Sequence, residues 1–272
     1  MSKLPTQDDA KKGGRSDKNA PEKDDAEPAG MTLWEHLEEL RSRLIKMILA
    51  FLAGFGAAWF YKETVLGALI RPLKTAWPEA SLHFSSPAAL FLAYVRIAAL
   101  AGFVFALPIM LYQVWAFVAP GLYSREKRYA IPFVVSSCGL FAGGGYFGWK
   151  VAFPLAFKFL IVGFQGVVGG VKIEATIMIG DYIDFVMRML LAFGLAAELP
   201  VLVFFLAVAG LVTHKQMIKF FRYFLVIDFV VAAIVTPPDV MSQLLLAIPL
   251  AILYVLSIGV AYIFQRKPPP PD

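Results

Sequence analysis

The chain has 272 residues, 59% of them hydrophobic and 17% charged, with a formal net charge of +5 and a mean hydropathy of +0.68. That excludes a soluble globular domain, in which about half of the residues are apolar and about a quarter charged, and marks a polytopic membrane protein. The positive balance is an ordinary product of basic loops on one side of a membrane. It makes no case for nucleic acid, and the single cysteine, Cys138, can form no intrachain disulfide.

Residues 1–30 are rich in Lys, Asp, Glu, Gly and Pro and carry almost no large apolar side chains. Such a segment cannot bury enough surface to offset its ordering entropy, so it reads as a disordered charged tail. Order is expected from Met31. In TLWEHLEELRSRLI, Leu33, Leu37, Leu40 and Leu44 recur at helical spacing, Thr32 can cap the start and Glu35 suits a capping box. The expectation is an amphipathic helix at the membrane interface, ahead of the first span. Within it Glu39 stands four residues before Arg43, a spacing that favours a local ion pair.

Hydropathy places the first span at about 44–61, a mixed loop at 62–87 with Pro72, Pro78 and Pro87, and the second span at about 90–118 with Pro108 as a kink. Arg96 lies near the outer end of that span, where its stem can snorkel. A third span follows at about 130–149, where Gly143, Gly144 and Gly145 permit close packing. Residues 151–164 are apolar but short, and read as an extension of that helix or a cap outside the bilayer. An outer loop continues to residue 180. The fourth span, about 183–211, holds Arg188, Glu198 and Pro200; after a short loop at 212–217, the fifth, about 220–235, holds Asp228. The sixth lies within 240–264 and is interrupted by Pro249, and residues 267–272 form a short Pro-rich tail. Six spans put the short basic loops, with Arg41, Arg43, Lys127, Arg128, Lys215 and Arg266, on one side, so both termini are expected inside.

No P-loop, dinucleotide fingerprint, metal-ligand spacing or nucleophile motif occurs, and the three histidines are scattered, so neither an enzyme nor a cofactor is expected. Chemistry must lie in charges at or inside the membrane, where they are costly. Glu198, in FGLAAELP, falls about midway along the fourth span, and Asp228 about midway along the fifth. At the surface the stretch 112–128, YQVWAFVAPGLYSREKR, runs from a helix end, stopped by Pro120 and Gly121, into a basic loop containing Glu126. Two readings of that loop stand: a positive-inside anchor with a locally paired acid, and a carboxylate held to receive a cationic ligand.

Taken in order, HLEELRSRL, SSPAALF, YQVWAFVAPGLYSREKR, FGLAAELP and TPPDVMSQLLLAIPL give the chain from Met31 to about Arg266 a resemblance to the TatC family of twin-arginine protein translocase components. The resemblance implies an all-α, six-helix, cup-shaped protein of the cytoplasmic (inner) membrane with both termini cytoplasmic. It implies a receptor for the twin-arginine signal peptides of folded proteins, working with TatA- and TatB-type single-span partners, self-associating in the complex and driven by the proton-motive force. By motif, Glu39 and Glu126 match the family's signal-peptide acids, Arg41 and Arg43 the basic pair beside the first, and Phe117 and Pro120 the first-loop pattern. Pro72 and Pro87 match outer-loop prolines, Glu198 the mid-membrane glutamate that meets partners, and Asp239 and Gln243 the acid and amide at the last turn. The chain departs from the pattern at Ala88, Ala89 and Leu90, at Ala197 and at Val255, and Asp228 has no counterpart in it.

Independently of the resemblance, two adjacent arginines present two planar, permanently charged forks that suit carboxylates, so two acids on separate segments could hold one such pair. The rival is an ion-coupled solute transporter using Glu198 and Asp228, against which stands the absence of an internal repeat or of paired broken helices. A pure scaffold would need neither surface acid.

Overall fold

A computed structural model describes residues 33–118, 130–173, 175–236 and 239–265. The chain up to Glu38 forms one unit and the chain from Glu39 another. In the first, the described residues are the opening turns of a helix, with Trp34 and Leu37 exposed. The architecture that follows is that of the second.

Helix α1 (Leu33–Phe60) is continuous. A separate interfacial helix was the expectation; with no glycine or proline between residues 33 and 53, nothing stops the amphipathic stretch from running into the span. Thr32 lies outside the described residues. Gly54 meets Gly102 of α3 (Pro87–Val118) backbone to backbone: a Cβ on Gly102 would sit 2.5 Å from the Phe55 amide nitrogen. Small residues let membrane helices approach this closely, and dispersion between the backbones then supplies attraction that apolar burial cannot supply in lipid.

The 62–87 stretch is not a loop through its first half. It forms α2 (Lys62–Ala76), whose Leu66, Leu69, Ile70 and Leu73 make an apolar stripe that packs into the main core. Pro72 lies inside this helix and removes the amide that would bond Ala68; the Trp149 indole donates to that carbonyl instead, at 2.9 Å. The Tyr182 hydroxyl donates to the next carbonyl, that of Leu69, at 2.7 Å. Helix α4 (Ala130–Phe147) continues through a π-helical turn (Gly148–Ala152) into α5 (Phe153–Leu160), so 151–160 does extend the third span. Phe153, Phe157 and Tyr182 fill the core between α2, α5 and the following span.

Two small strand pairs lie beyond. Strand β1 (Leu82–His83) pairs in parallel with β4 (Ile177–Met178), and β2 (Gly166–Val168) pairs antiparallel with β3 (Val171–Ile173). Gly169 and Gly170, at φ 60° and 83°, make the two-residue turn of that hairpin, a geometry that glycine adopts without strain.

The fourth span is two helices, α6 (Ile179–Ala197) and α7 (Leu199–Val208), with Glu198 at the joint and Pro200 just beyond it. Of the three consecutive glycines in α4, Gly144 is the one pressed against α6; a Cβ there would collide with the Phe193 carbonyl. Helix α8 (His214–Val235) begins earlier than hydropathy suggested, because Thr213 and Gln216 form a reciprocal capping box. Helix α9 (Val240–Phe264) runs unbroken through Pro249, where an interruption was expected. Among the described residues five helical segments are long and apolar enough to cross a membrane; α8, with charges in its first turns, completes the alternation of six.

Candidate functional site

Glu39 and Arg43 lie one turn apart on α1 and form the ion pair their spacing predicts, with Arg43 Nε donating to Glu39 Oε1 at 3.0 Å. Their side chains are only about a fifth exposed, at 22% and 19%. Arg43 Nη1 also reaches Gln113 Oε1 of α3, at 3.4 Å. One glutamate oxygen is therefore held by an arginine that is itself tied to the next helix. The other, Oε2, is buried and has no hydrogen-bond partner among the described residues. Gln113 precedes the last described residue of α3, Val118, by five positions, or about 7.5 Å of helix rise. Gln113, and with it the described end of α3, therefore stands beside the Glu39–Arg43 pair. Arg41 is exposed beside it and Phe117 is half-buried near the end of α3. Glu126 and Pro120 lie outside the described residues.

At the α6–α7 joint Glu198 caps the break, its carbonyl accepting from the Leu202 amide at 2.9 Å. Its side chain turns to α4, where Ser137 and Cys138 are its neighbours. Neither Glu198 Oε1 nor the buried Ser137 hydroxyl has a well-formed hydrogen bond. Asp228 belongs to another place. It is 2% exposed and lines a groove with Arg188, Leu195 and Leu199. Each acid falls about midway along its span by count, but the fold gives them different neighbours.

Other residues singled out in the sequence have local structural duties. Pro87 opens α3 just after Ser86, whose hydroxyl accepts from the Ala89 amide at 3.2 Å. Asp239 caps α9, accepting from the Ser242 amide at 2.7 Å, and its second oxygen is buried with no hydrogen-bond partner among the described residues. Gln243 Nε2 donates to the Phe229 carbonyl at 2.9 Å, tying α9 to α8. Arg96 does not snorkel: it pairs with Asp184 of α6 at 2.6 Å, a partner 88 residues away that no local pattern announces. Among the described residues no group of three His, Cys, Asp or Glu is placed to hold a metal.

The family model described as TatC, Sec-independent protein translocase protein, matches residues 35–249. A Sec-independent protein translocase protein TatC from Koribacter versatilis is 41% identical over 243 residues, covering 88% of this chain and 88% of its own. That of Aquifex aeolicus is 41% identical over 239 residues, covering 87% of this chain and 97% of its own. A crystal structure described as the twin arginine translocase receptor TatC superposes with a TM-score of 0.76 at 40% identity, covering 85% of this chain and all of the other.

Proposed function

The chain belongs to the TatC family of Sec-independent protein translocase proteins, and we propose that it is the receptor and core component of a twin-arginine translocase in the inner membrane. In this reading both termini are cytoplasmic, and the Glu39 end of the protein takes up the twin-arginine signal peptides of folded proteins. TatA- and TatB-type single-span proteins join it, with Glu198 contacting a partner's transmembrane helix, and the proton-motive force drives export. The complex contains more than one copy of the chain.

The observation that carries the reading is the state of Glu39. Arg43 occupies one carboxylate oxygen, and the other is buried without a donor among the described residues. A guanidinium arriving there supplies the missing hydrogen bond and a charge-assisted one, which contributes about 1.5–3 kcal/mol. Arg43, anchored on Gln113, keeps the carboxylate in place before the ligand arrives. Glu126, on the segment that follows α3, supplies the second acceptor for the second arginine. A charge-preserving replacement of the ligand's arginines by lysines loses the planar fork and with it the two-point fit.

A transporter would need its two membrane acids in one pathway. Glu198 has its neighbours on α4, whereas Asp228 lines the groove between α6 and α8.

The test is binding of a synthetic twin-arginine signal peptide to the purified full chain, compared with Glu39→Ala, Glu126→Ala and the double variant. Each single change should weaken binding about ten- to a hundredfold, the equivalent of one charged hydrogen bond. Unchanged affinity of the folded double variant refutes the assignment.

A further inference from the structure

Between α6 and α8 lies a groove of about 450 Å³, walled mostly by apolar side chains such as Leu191, Leu195, Ile227 and Val231. Two charged residues break that lining: Arg188 from α6 and Asp228 from α8. Asp228 is 2% exposed, and both of its carboxylate oxygens are buried with no hydrogen-bond partner among the described residues. Arg188 is exposed in the groove, and among the described residues it too has no ion-pair or hydrogen-bond partner.

Their heights match. Helix α6 begins at Ile179 at the end where α8 finishes at Val235, because successive spans alternate in direction. Arg188 is nine residues from Ile179 and Asp228 seven from Val235, so they lie about 14 Å and about 10 Å from that end. Each charge alone at such a depth is costly, and a buried carboxylate without donors leaves its desolvation uncompensated. Gln243 is bonded to the Phe229 carbonyl, and Glu198 faces Ser137 and Cys138, so neither is turned to Asp228. Arg188 is the one cationic side chain among the groove's lining residues.

We propose that Arg188 is the counter-ion of Asp228, and that the α6–α8 groove is a charge-paired intramembrane site in which guanidinium and carboxylate meet directly or through one water. The long stem of Arg188 lets its head turn inward without moving α6. The pair fastens α8 to α6. Helix α8 otherwise leans on α9, through the Tyr254 ring stacked 4.0 Å from Phe224 and the Tyr254 hydroxyl bonded to the Met217 carbonyl at 3.0 Å. Ala232 and Val235 of α8 pack into the core that α6 shares, and the charge pair holds the two helices across the groove itself.

A double-mutant cycle on the full chain in lipid vesicles tests this. Arg188→Gln and Asp228→Asn should each lower the midpoint of thermal unfolding by several degrees, and the double variant should fall no further than the worse single one. Additive losses, or a rise in midpoint with Asp228→Asn, overturn the proposal. A second measurement does not depend on how well the neutral variants fold. Arg188→Cys, in a Cys138→Ser background, is treated with a thiol reagent that attaches an ammonium or with a neutral one of equal size. The ammonium adduct should be the more stable of the two, and the difference should vanish when Asp228→Asn is added. Equal stability of the two adducts refutes the pair.

Discussion

The Trp149 indole donates its hydrogen bond, at 2.9 Å, to the carbonyl of Ala68. That carbonyl is the one that Pro72, four residues on, leaves without a helical partner. A proline inside a helix normally costs about 3 kcal/mol, and here a side chain from the α4–α5 segment takes over part of the lost bonding. Pro72 thereby stops being a helix-breaker and becomes a docking point between α2 and the neighbouring segment.

Replacement of Trp149 by Phe keeps much of the ring but leaves the Ala68 carbonyl unpaired, at a cost of about 1–3 kcal/mol. In a Pro72→Ala background the restored backbone amide satisfies Ala68, and the same replacement should then cost markedly less. Denaturant unfolding of the four proteins measures the difference. Equal cost in both backgrounds would show that Trp149 matters through packing alone.

The α1–α3 crossing makes a sharper steric prediction. A Cβ on Gly102 would lie 2.5 Å from the Phe55 nitrogen, which is backbone and cannot swing aside. Gly102→Ala should therefore separate the helices and cost about 1–3 kcal/mol. Gly56→Ala, where a Cβ meets nothing within 4 Å, should be neutral or slightly stabilising. Unfolding of the two variants side by side decides this, and a harmless Gly102→Ala would mean that α1 is free to slide on α3.

Glu198 sits where two helices meet, with a buried oxygen beside the Ser137 hydroxyl. If its part in partner contact is to hydrogen-bond a polar group on another helix, Glu198→Gln retains most of that association and Glu198→Ala loses it. Crosslinking to a TatA- or TatB-type helix reads the two variants directly. Equal loss in both would assign the contact to negative charge instead.

Much of this was legible in the sequence because the bilayer is a severe solvent. A helix is one of the few ways to satisfy a backbone in hydrocarbon, so runs of about 20 apolar residues announce spans. The Glu39–Arg43 pair, four residues apart, is set by local helix geometry and needed no tertiary information; the Asp239 cap, three residues before Ser242, is equally local, though no cap was expected there. The fusion of the interfacial stretch with the first span was missed, although the lack of any breaker before Gly54 was there to be read. What only the fold decided involves partners far apart in the chain. Helix α2 contains a proline, and Trp149 bonds the Ala68 carbonyl that Pro72 leaves without an amide, while Tyr182, from another segment, bonds the next carbonyl. Arg96 finds Asp184 across 88 residues. Glu198 and Asp228 have similar depths by count, but which way each side chain faces depends on helix rotation, and packing sets that: Gly144 pressed on Phe193 turns Glu198 toward α4, while Asp228 faces the groove that Arg188 shares.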